Sequence, residues 1–427
     1  MTEVAARPHL LREPPFRSFF VGDAVSQVGD RISELAFPLI AVLVLHASAA
    51  EVSVLTALVW LPNLVSPFLG AWIDRQQHKK RLLVVADLLR AALLLTVPAA
   101  FASDALTLLQ LYAVALLTGA ASVLFNTTYP AFFVLLVQRP DYLAANSLLS
   151  GSRSVSFIAG PALGGALVSL VTAPVALVVD ALSFVWSAVF VGRVRLRRRP
   201  EPPAQAAPTT SLLHEAREGL AYTLGHPVLR AKLGCVSTVN FFTFVFAALL
   251  VLFASRELGL SSGLIGLALG IGAVGGLVGA VTAGPLSRRI GVGPSIVVGA
   301  IVFPAAIALT AVAGGPVWLR AGLLGLSELV SGIGVMYLDV NSNALTATVV
   351  PDGLRSRVSG AYAAVNYGMR PLGALTGGAL GTWLGIRPTL WVAAVGGTLG
   401  VLWLLPSPIP RIRTLDGLSP EPVPDRS

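Results

Sequence analysis

Apolar stretches of membrane-spanning length alternate with short polar breaks along nearly the whole chain. They fall near 18–45, 51–73, 82–102, 106–136, 143–170 and 173–192. After a longer polar interval they resume near 227–255, 261–286, 294–314, 317–349, 356–382 and 385–406. Each reaches the roughly 20 residues that a helix needs to cross a hydrocarbon layer about 30 Å thick. Strands of an outer-membrane barrel would instead read as alternating segments of about ten residues, a pattern absent here. The expectation is an all-α membrane protein with twelve transmembrane helices.

The spacing divides the chain in two. An N-terminal tail, 1–17, precedes a six-helix bundle at 18–192, a linker follows at 193–226, a second six-helix bundle occupies 227–406, and a tail closes the chain at 407–427. The linker opens basic and becomes rich in proline and alanine. It continues into SLLHEAREGLAYTL, where Leu212, Leu213, Ala216, Leu220 and Leu224 form one helical stripe suited to a membrane surface. The two bundles resemble each other. Asp141 precedes SLLSGSRSVSFIAGPALGG and Asp352 precedes GAYAAVNYGMRPLGALTGG, each with an arginine, a proline and closely spaced glycines. On this reading Arg153 and Arg370 are equivalent, and Arg288 of AGPLSRRIG stands where Asp74 would. Two such repeats predict a site between pseudo-symmetric halves that rock.

Charge sets the orientation. Residues of the apolar class make up 55% of the 427 and charged residues only 12%, about half the soluble share, with mean hydropathy +0.78. Both termini and the breaks after even-numbered segments hold 23 of the 30 lysines and arginines, with Arg230 and Lys232 counted in the linker region. Arg256, Arg320 and Arg387 lie on the other side, and Arg31, Arg90, Arg153 and Arg370 lie within segments. Such a bias places both termini in the cytoplasm of a multi-pass cell-membrane protein. The net charge of +9 is therefore topogenic, and no nucleic-acid partner is expected. No removable signal precedes the first segment. The lone Cys235 excludes an intramolecular disulfide and is read as packing within the seventh segment.

Three patterns stand out against this frame. SQVGDRISELAFPL lies in the first segment, GAWIDRQQHKKR (Gly70 to Arg81) follows the second, and GPALGG (Gly160 to Gly165) lies in the fifth. Together they resemble the major facilitator superfamily, most closely the drug-efflux group that holds macrolide efflux pumps and the enterobactin exporter, over about residues 16–406. The resemblance implies the major facilitator fold and efflux. It makes Gly160, Pro161, Gly164 and Gly165 an antiporter motif, beside the physical reading that small residues allow close helix packing and proline invites a kink. It implies a cytoplasmic gate built from Gly70, Asp74, Arg75, Arg81 and Asp141. There Asp74 would meet the start of the eleventh helix near Ser356, and Arg75 or a later base would meet Asp141. One departure counts: many drug/proton antiporters carry an arginine near the middle of the fourth helix, whereas LLTGAASVLFNTTYP has Thr118 and Gly119 there, so proton coupling is not implied through that motif and must be sought elsewhere.

Candidate chemistry concentrates in the first segment, where Asp23, Gln27, Asp30 and Glu34 share one helical face. Charge at membrane depth is costly and faces a cavity or a partner. Asp30 and Glu34 are one turn apart, and their mutual repulsion suits a group that binds a proton at one face and releases it at the other. With Arg31 they are either proton-coupling residues or a structural ion pair. Asp23 is placed nearer the entrance and read as solvated, and Asp180 as a structural hydrogen-bonding residue. Cavity candidates are Asn126, Tyr129, Arg153, Asn240, Glu328, Asp339, Asn341, Asn366, Tyr367 and Arg370, each alternatively a helix–helix contact. Phe241, Phe242, Phe244 and Phe246 offer a greasy wall.

The chain has no phosphate-binding loop, no metal-ligand spacing and no intramembrane hydrolase set, so neither an enzyme nor a metal or other cofactor is expected. The expected function is secondary active export of a small amphiphilic compound by a monomer, with protons as coupling ion and the bilayer as surroundings. The alternatives are a siderophore or metabolite exporter with different coupling, and a non-transporting sensor or lipid-handling protein of the same fold.

Overall fold

The computed structural model describes residues 10–195 and 212–415, apart from the side chains at 67, 68, 71, 74 and 212–216. The described residues form helices and connections with no strand. In chain order the helices are α1 Pro14–Leu39, α2 Ala49–Trp60, α3 Ser66–Asp74, α4 Lys79–Ala102, α5 Leu108–Leu136, α6 Tyr142–Val171, α7 Ala173–Arg193 and α8 Leu212–Gly225. They continue with α9 Pro227–Leu252, α10 Ser262–Ile290, α11 Val292–Ala305, α12 Ile307–Ala311, α13 Val317–Val349, α14 Arg355–Trp383 and α15 Ile386–Leu399. Nine spans among the described residues are long and apolar enough to cross a membrane. Three further stretches lie beside them: α1, the α2–α3 stretch and α14. The first carries three acids and two arginines, the second is broken by the 3-10 turn Leu61–Val65, and the third carries three arginines. Most of the N-terminal tail, most of the basic part of the linker and most of the C-terminal tail lie outside the described residues.

The repeat is written into the backbone. Both α1 and α9 end in a π-helical turn, Ile40–Val44 and Phe253–Glu257. The chain then reverses in the same way, with Ala47 N–H donating to the Ala41 carbonyl and Leu260 N–H to that of Ala254. Ser48 and Ser261 next accept backbone N–H groups as N-caps of α2 and α10. Counted from these two serines, Asp74 falls at Ser287 and Arg75 at Arg288, which corrects the assignment of Arg288 to the place of Asp74.

Core packing differs between the two ends of the bundle. At the far end, away from the starts of α1 and α9, one apolar core runs across both halves, from Ile32–Leu55 through Val245–Leu260. At the terminal end two separate cores form: one around Phe16, Phe19 and Phe132, the other around Val236, Ile296 and Leu345. Among the described residues, the two halves therefore share a continuous apolar core at the far end and not at the terminal end.

Helix α8 is more than a surface stripe. Gly219 lies so close to the Arg357 carbonyl that a Cβ would approach it to 2.2 Å, and Glu218 pairs with Arg357 at 2.9 Å. The linker helix is thereby strapped to the start of α14. Of its predicted stripe, Leu212, Leu213 and Ala216 lie outside the described side chains.

Candidate functional site

Glycine brings the halves together at the far end. A Cβ on Gly165 of α6 would lie 2.4 Å from the Ser262 carbonyl and 2.9 Å from the Gly266 Cα of α10. In the partner seam, a Cβ on Gly378 of α14 would lie 2.5 Å from the Ser53 Cβ of α2. Only glycine fits such contacts, because anything larger pushes two backbones apart. The other motif glycines pack within the N-terminal half. Gly160 receives the Arg31 side chain, whose Cβ would be 2.4 Å from an added methyl, and a Cβ added to Gly164 would lie 3.1 Å from the Ile32 Cα. Pro161 sits inside α6, which runs through it as one helix.

The matching glycines of α14 correct a second equivalence. Gly373 packs on Phe241 and Phe244, and Gly377 on Val245, as Gly160 and Gly164 pack on Arg31 and Ile32. Gly160, Gly164 and Gly165 thus correspond to Gly373, Gly377 and Gly378. Arg153 then falls opposite Asn366, and Arg370 opposite Phe157, so the two arginines are not equivalent.

Polar side chains of the N-terminal half gather where α1, α4 and α7 meet. Arg90 of α4 is buried and pairs with Asp87 one turn before it, and its Nη1 lies 3.6 Å from Asp30 Oδ1. Its guanidinium stacks over Phe184 at 4.0 Å and Phe125 at 4.8 Å. Asp180 of α7 is fully buried and accepts the hydroxyls of Ser33 and Ser183. Gly29 leaves the room for this, since a Cβ there would strike both Asp180 and Ser183. Asp30 therefore takes its cation from Arg90, while Arg31 pairs with Glu34 at 2.6 Å. Asp23 is buried, not solvated, and accepts the Gln27 amide. It lies within electrostatic reach of Arg153, whose guanidinium is 4.9 Å from the Tyr129 ring. Asp87 and Arg90 escaped the sequence-based site, although an acid and a base three residues apart in an apolar run are a readable signal.

In the C-terminal half Arg370 is enclosed by aromatic rings: Trp60 at 4.2 Å, Tyr367 at 4.8 Å and Phe244 at 5.3 Å. Trp60 comes from α2, so this cluster bridges the halves, and Trp60 also meets Phe244 edge-on at 5.4 Å. Lys232, expected among the linker bases, lies in α9 and is buried. It donates to Thr346 Oγ1 at 2.6 Å and the Ser342 carbonyl at 3.3 Å. It borders a cavity of about 110 Å³ with Thr223, Asn343, Ser359 and Tyr362. Asp339 lies within electrostatic reach of Lys232 and Arg370. Asn240 and Asn341 turn their amides back to the Val236 and Tyr337 carbonyls of their own helices. Asn126 is exposed, and Asn366 and Tyr367 are half-buried on α14. Phe242 packs into Gly396 of α15, so it belongs to the helix packing. Cys235 is buried in α9.

The gate residues meet different fates. The Asp74 side chain lies outside the described residues. Gly70 does not mark a tight crossing, because an added Cβ would meet Thr127 at an ordinary 3.5 Å. Arg75 and Arg81 are exposed, and Asp141 ends the 3-10 turn before α6. Another base of the loop holds a helix end. Lys80 donates to the Gly192 and Val194 carbonyls, 3.1 and 3.2 Å away, at the C-terminus of α7. At the position where an arginine is missing, Gly119 instead lets α5 approach the Val59 carbonyl, 2.7 Å from an added Cβ.

Comparison with known proteins follows the same lines. The chain is 26% identical over 398 residues to the multidrug efflux pump Tap of Mycolicibacterium fortuitum, covering 91% of this chain and 94% of that one. Its fold matches a single-residue mutant of the nucleoside transporter NupG with TM-score 0.74 and 13% identity, covering 92% and 99% of the two chains. A bacterial homologue of the iron transporter ferroportin in an inward-facing state matches with TM-score 0.72, 19% identity and coverage of 93% and 99%. An outward-facing structure of such a homologue reaches 0.55, at 17% identity and coverage of 92% and 98%. The family model of the Major Facilitator Superfamily matches residues 19–374 and 233–426, and the chain belongs to that superfamily of membrane transporters.

Proposed function

We propose that the chain is a secondary exporter of small amphiphilic compounds, such as drugs, antibiotics or secondary metabolites, driven by proton antiport through alternating access. The observation that carries this reading is the one-sided seal: a continuous apolar core and two glycine seams at the far end, and split cores at the terminal end. A carrier needs one such closed end that opens as the other closes. The proposed topology has twelve helices in two bundles, 18–192 and 227–406, both termini in the cytoplasm and the linker 193–226 on that side, in a monomer. The seal then lies at the outer face, and the protein rests open to the cytoplasm.

Efflux is supported by the relative Tap, a multidrug efflux pump. Acids at membrane depth, Asp30 and Glu34 with Arg31 among them, supply groups able to exchange protons. Gly70, Asp74, Arg75, Arg81 and Asp141 form the proposed inner gate. The aromatic cluster around Arg370 and the polar groups Asn126, Tyr129, Arg153 and Asp339 are the proposed cavity contacts.

The test is drug susceptibility and dye accumulation in an efflux-deficient host expressing the protein, with and without a protonophore. Lower accumulation that the protonophore abolishes supports export by antiport. Export that persists with the proton gradient collapsed replaces antiport with another coupling.

A further inference from the structure

We propose that Glu328 of α13 carries the coupling proton, an assignment that rests on the antiport reading above. Nearly every other acid at membrane depth has a partner. Asp23 accepts Gln27, Asp30 and Asp87 face Arg90, and Glu34 holds Arg31. Asp180 accepts Ser33 and Ser183, and Asp339 lies within reach of Lys232 and Arg370. Among the described residues, Glu328 is the acid at membrane depth that meets neither a cation nor a hydrogen-bond donor. It stands eleven residues after the start of α13, about 16 Å into the span from the far end.

Its surroundings are built to hold a bare carboxyl group. Gly272 of α10 faces it, and a Cβ there would lie 3.0 Å from the Glu328 Cβ and 3.2 Å from its Oε2. Around it α10 and α13 touch backbone to backbone: an added Cβ on Gly275 would meet the Leu329 carbonyl at 2.1 Å, and one on Gly332 the Gly272 carbonyl at 2.3 Å. The helices packed against α13 are chiefly α10, α11 and α12. Their only titratable side chains are Arg288 and Arg289, at the terminal end of α10. On α13 itself Arg320 is engaged by the Leu258 carbonyl at 2.6 Å, Tyr337 by Thr282 at 3.1 Å, and Asp339 lies about 16 Å further along.

A carboxylate left without a counter-ion in such a place is costly, whereas the neutral acid is tolerated. Glu328 therefore changes state when water reaches it: a carboxylate and a proton combine to the acid on one side, and the acid releases the proton on the other. No other bond changes. In the N-terminal half Asp30, Asp87 and Glu34 each face an arginine, whereas Asp23 and Asp180 are held by neutral donors.

Two measurements test this. Purified protein in detergent is treated with dicyclohexylcarbodiimide, which reacts with protonated carboxyl groups in apolar surroundings, and the modified residue is located by mass spectrometry. Modification at Glu328 that fades as the pH rises is expected, and modification confined to Asp30 or Glu34 overturns the assignment. In proteoliposomes with an imposed pH gradient and ethidium as the transported dye, Glu328→Gln should lose at least tenfold of the gradient-driven rate. It should keep dye exchange without a gradient, and Glu328→Asp should keep both. A Glu328→Gln protein still driven by the gradient at the wild-type rate sinks the assignment and leaves antiport standing. A wild-type protein indifferent to the gradient sinks the antiport reading, and this assignment with it.

Discussion

The guanidinium of Arg31 lies 4.8 Å from the ring centroid of Phe157, joining α1 to α6 inside the N-terminal half. In the other half the same crossing carries the same contact with its residues exchanged. Phe244 takes the place of Arg31 and Arg370 that of Phe157, 5.3 Å apart. The exchange puts the second guanidinium on α14, where it also reaches Trp60 of the opposite half. An arginine–aromatic contact inside one bundle has thus become a contact between bundles.

That bridge should bias the resting state. Desolvated cation–π contacts contribute about 1–2 kcal/mol, and about 1.4 kcal/mol is a tenfold change in an equilibrium. Trp60→Ala should shift the balance roughly tenfold toward a far end that is open. Labelling of a cysteine placed at Ser53 by a membrane-impermeant maleimide reports the shift, and an unchanged labelling rate rules the bridge out as a latch.

Arg90 should be a stability residue before it is a transport residue. Removing one member of a buried charge cluster costs about 3–5 kcal/mol, whereas apolar replacement of a pair is often neutral. Arg90→Leu should lower the melting temperature in detergent markedly, and Asp87→Leu combined with it should recover part of the loss. A single variant as stable as the wild type contradicts a structural role for the cluster.

The far-end seam should reject any side chain. Gly165→Val forces a methyl group into contacts under 3 Å, and overpacking costs about 1–3 kcal/mol. Transport should fall at least tenfold at normal protein levels. Gly192→Val, at a glycine with open space around it, should transport normally.

Charged residues of the loop between α3 and α4 should separate into structural and gating groups. Lys80→Ala removes bonds to the end of α7, worth about 1 kcal/mol of stability, and should leave transport near the wild-type level. Asp74→Asn should reduce transport with protein levels unchanged if the proposed gate is correct. Thermal melting and dye efflux measured on both variants separate the two roles.

The helices were legible because a bilayer demands long apolar runs, and the family because three short motifs survive in register. Partners were less so. Asp30 and Glu34 announce themselves as acids in an apolar run, yet which cation each meets depends on how α4 rotates against α1. That rotation brings Arg90, not Arg31, to Asp30. Lys232 read as a loop base because the polar interval runs close to it, and only the fold shows its ammonium turned inward to Thr346. Asp23 read as solvated from its place near the helix start, although Gln27 one turn on supplies its donor. Gly70 stood out only by its motif, and its neighbour Thr127 leaves room for a methyl. Gly165 and Gly266 lie too far apart in sequence for their contact to leave any local trace.

The glycine seams carry a mechanical consequence. Where Gly165 meets Gly266, the touching surfaces are bare backbone, with no rotamers to rearrange and no directional bonds to break. What holds them is close-range dispersion, of which a gap of about 0.5–1 Å already forfeits a quarter to a half. Such a joint behaves as a dry bearing: it grips only at contact and resists sliding little. The holding force of the closed end must come from elsewhere along the bundle, and the seam itself sets how freely the carrier turns over.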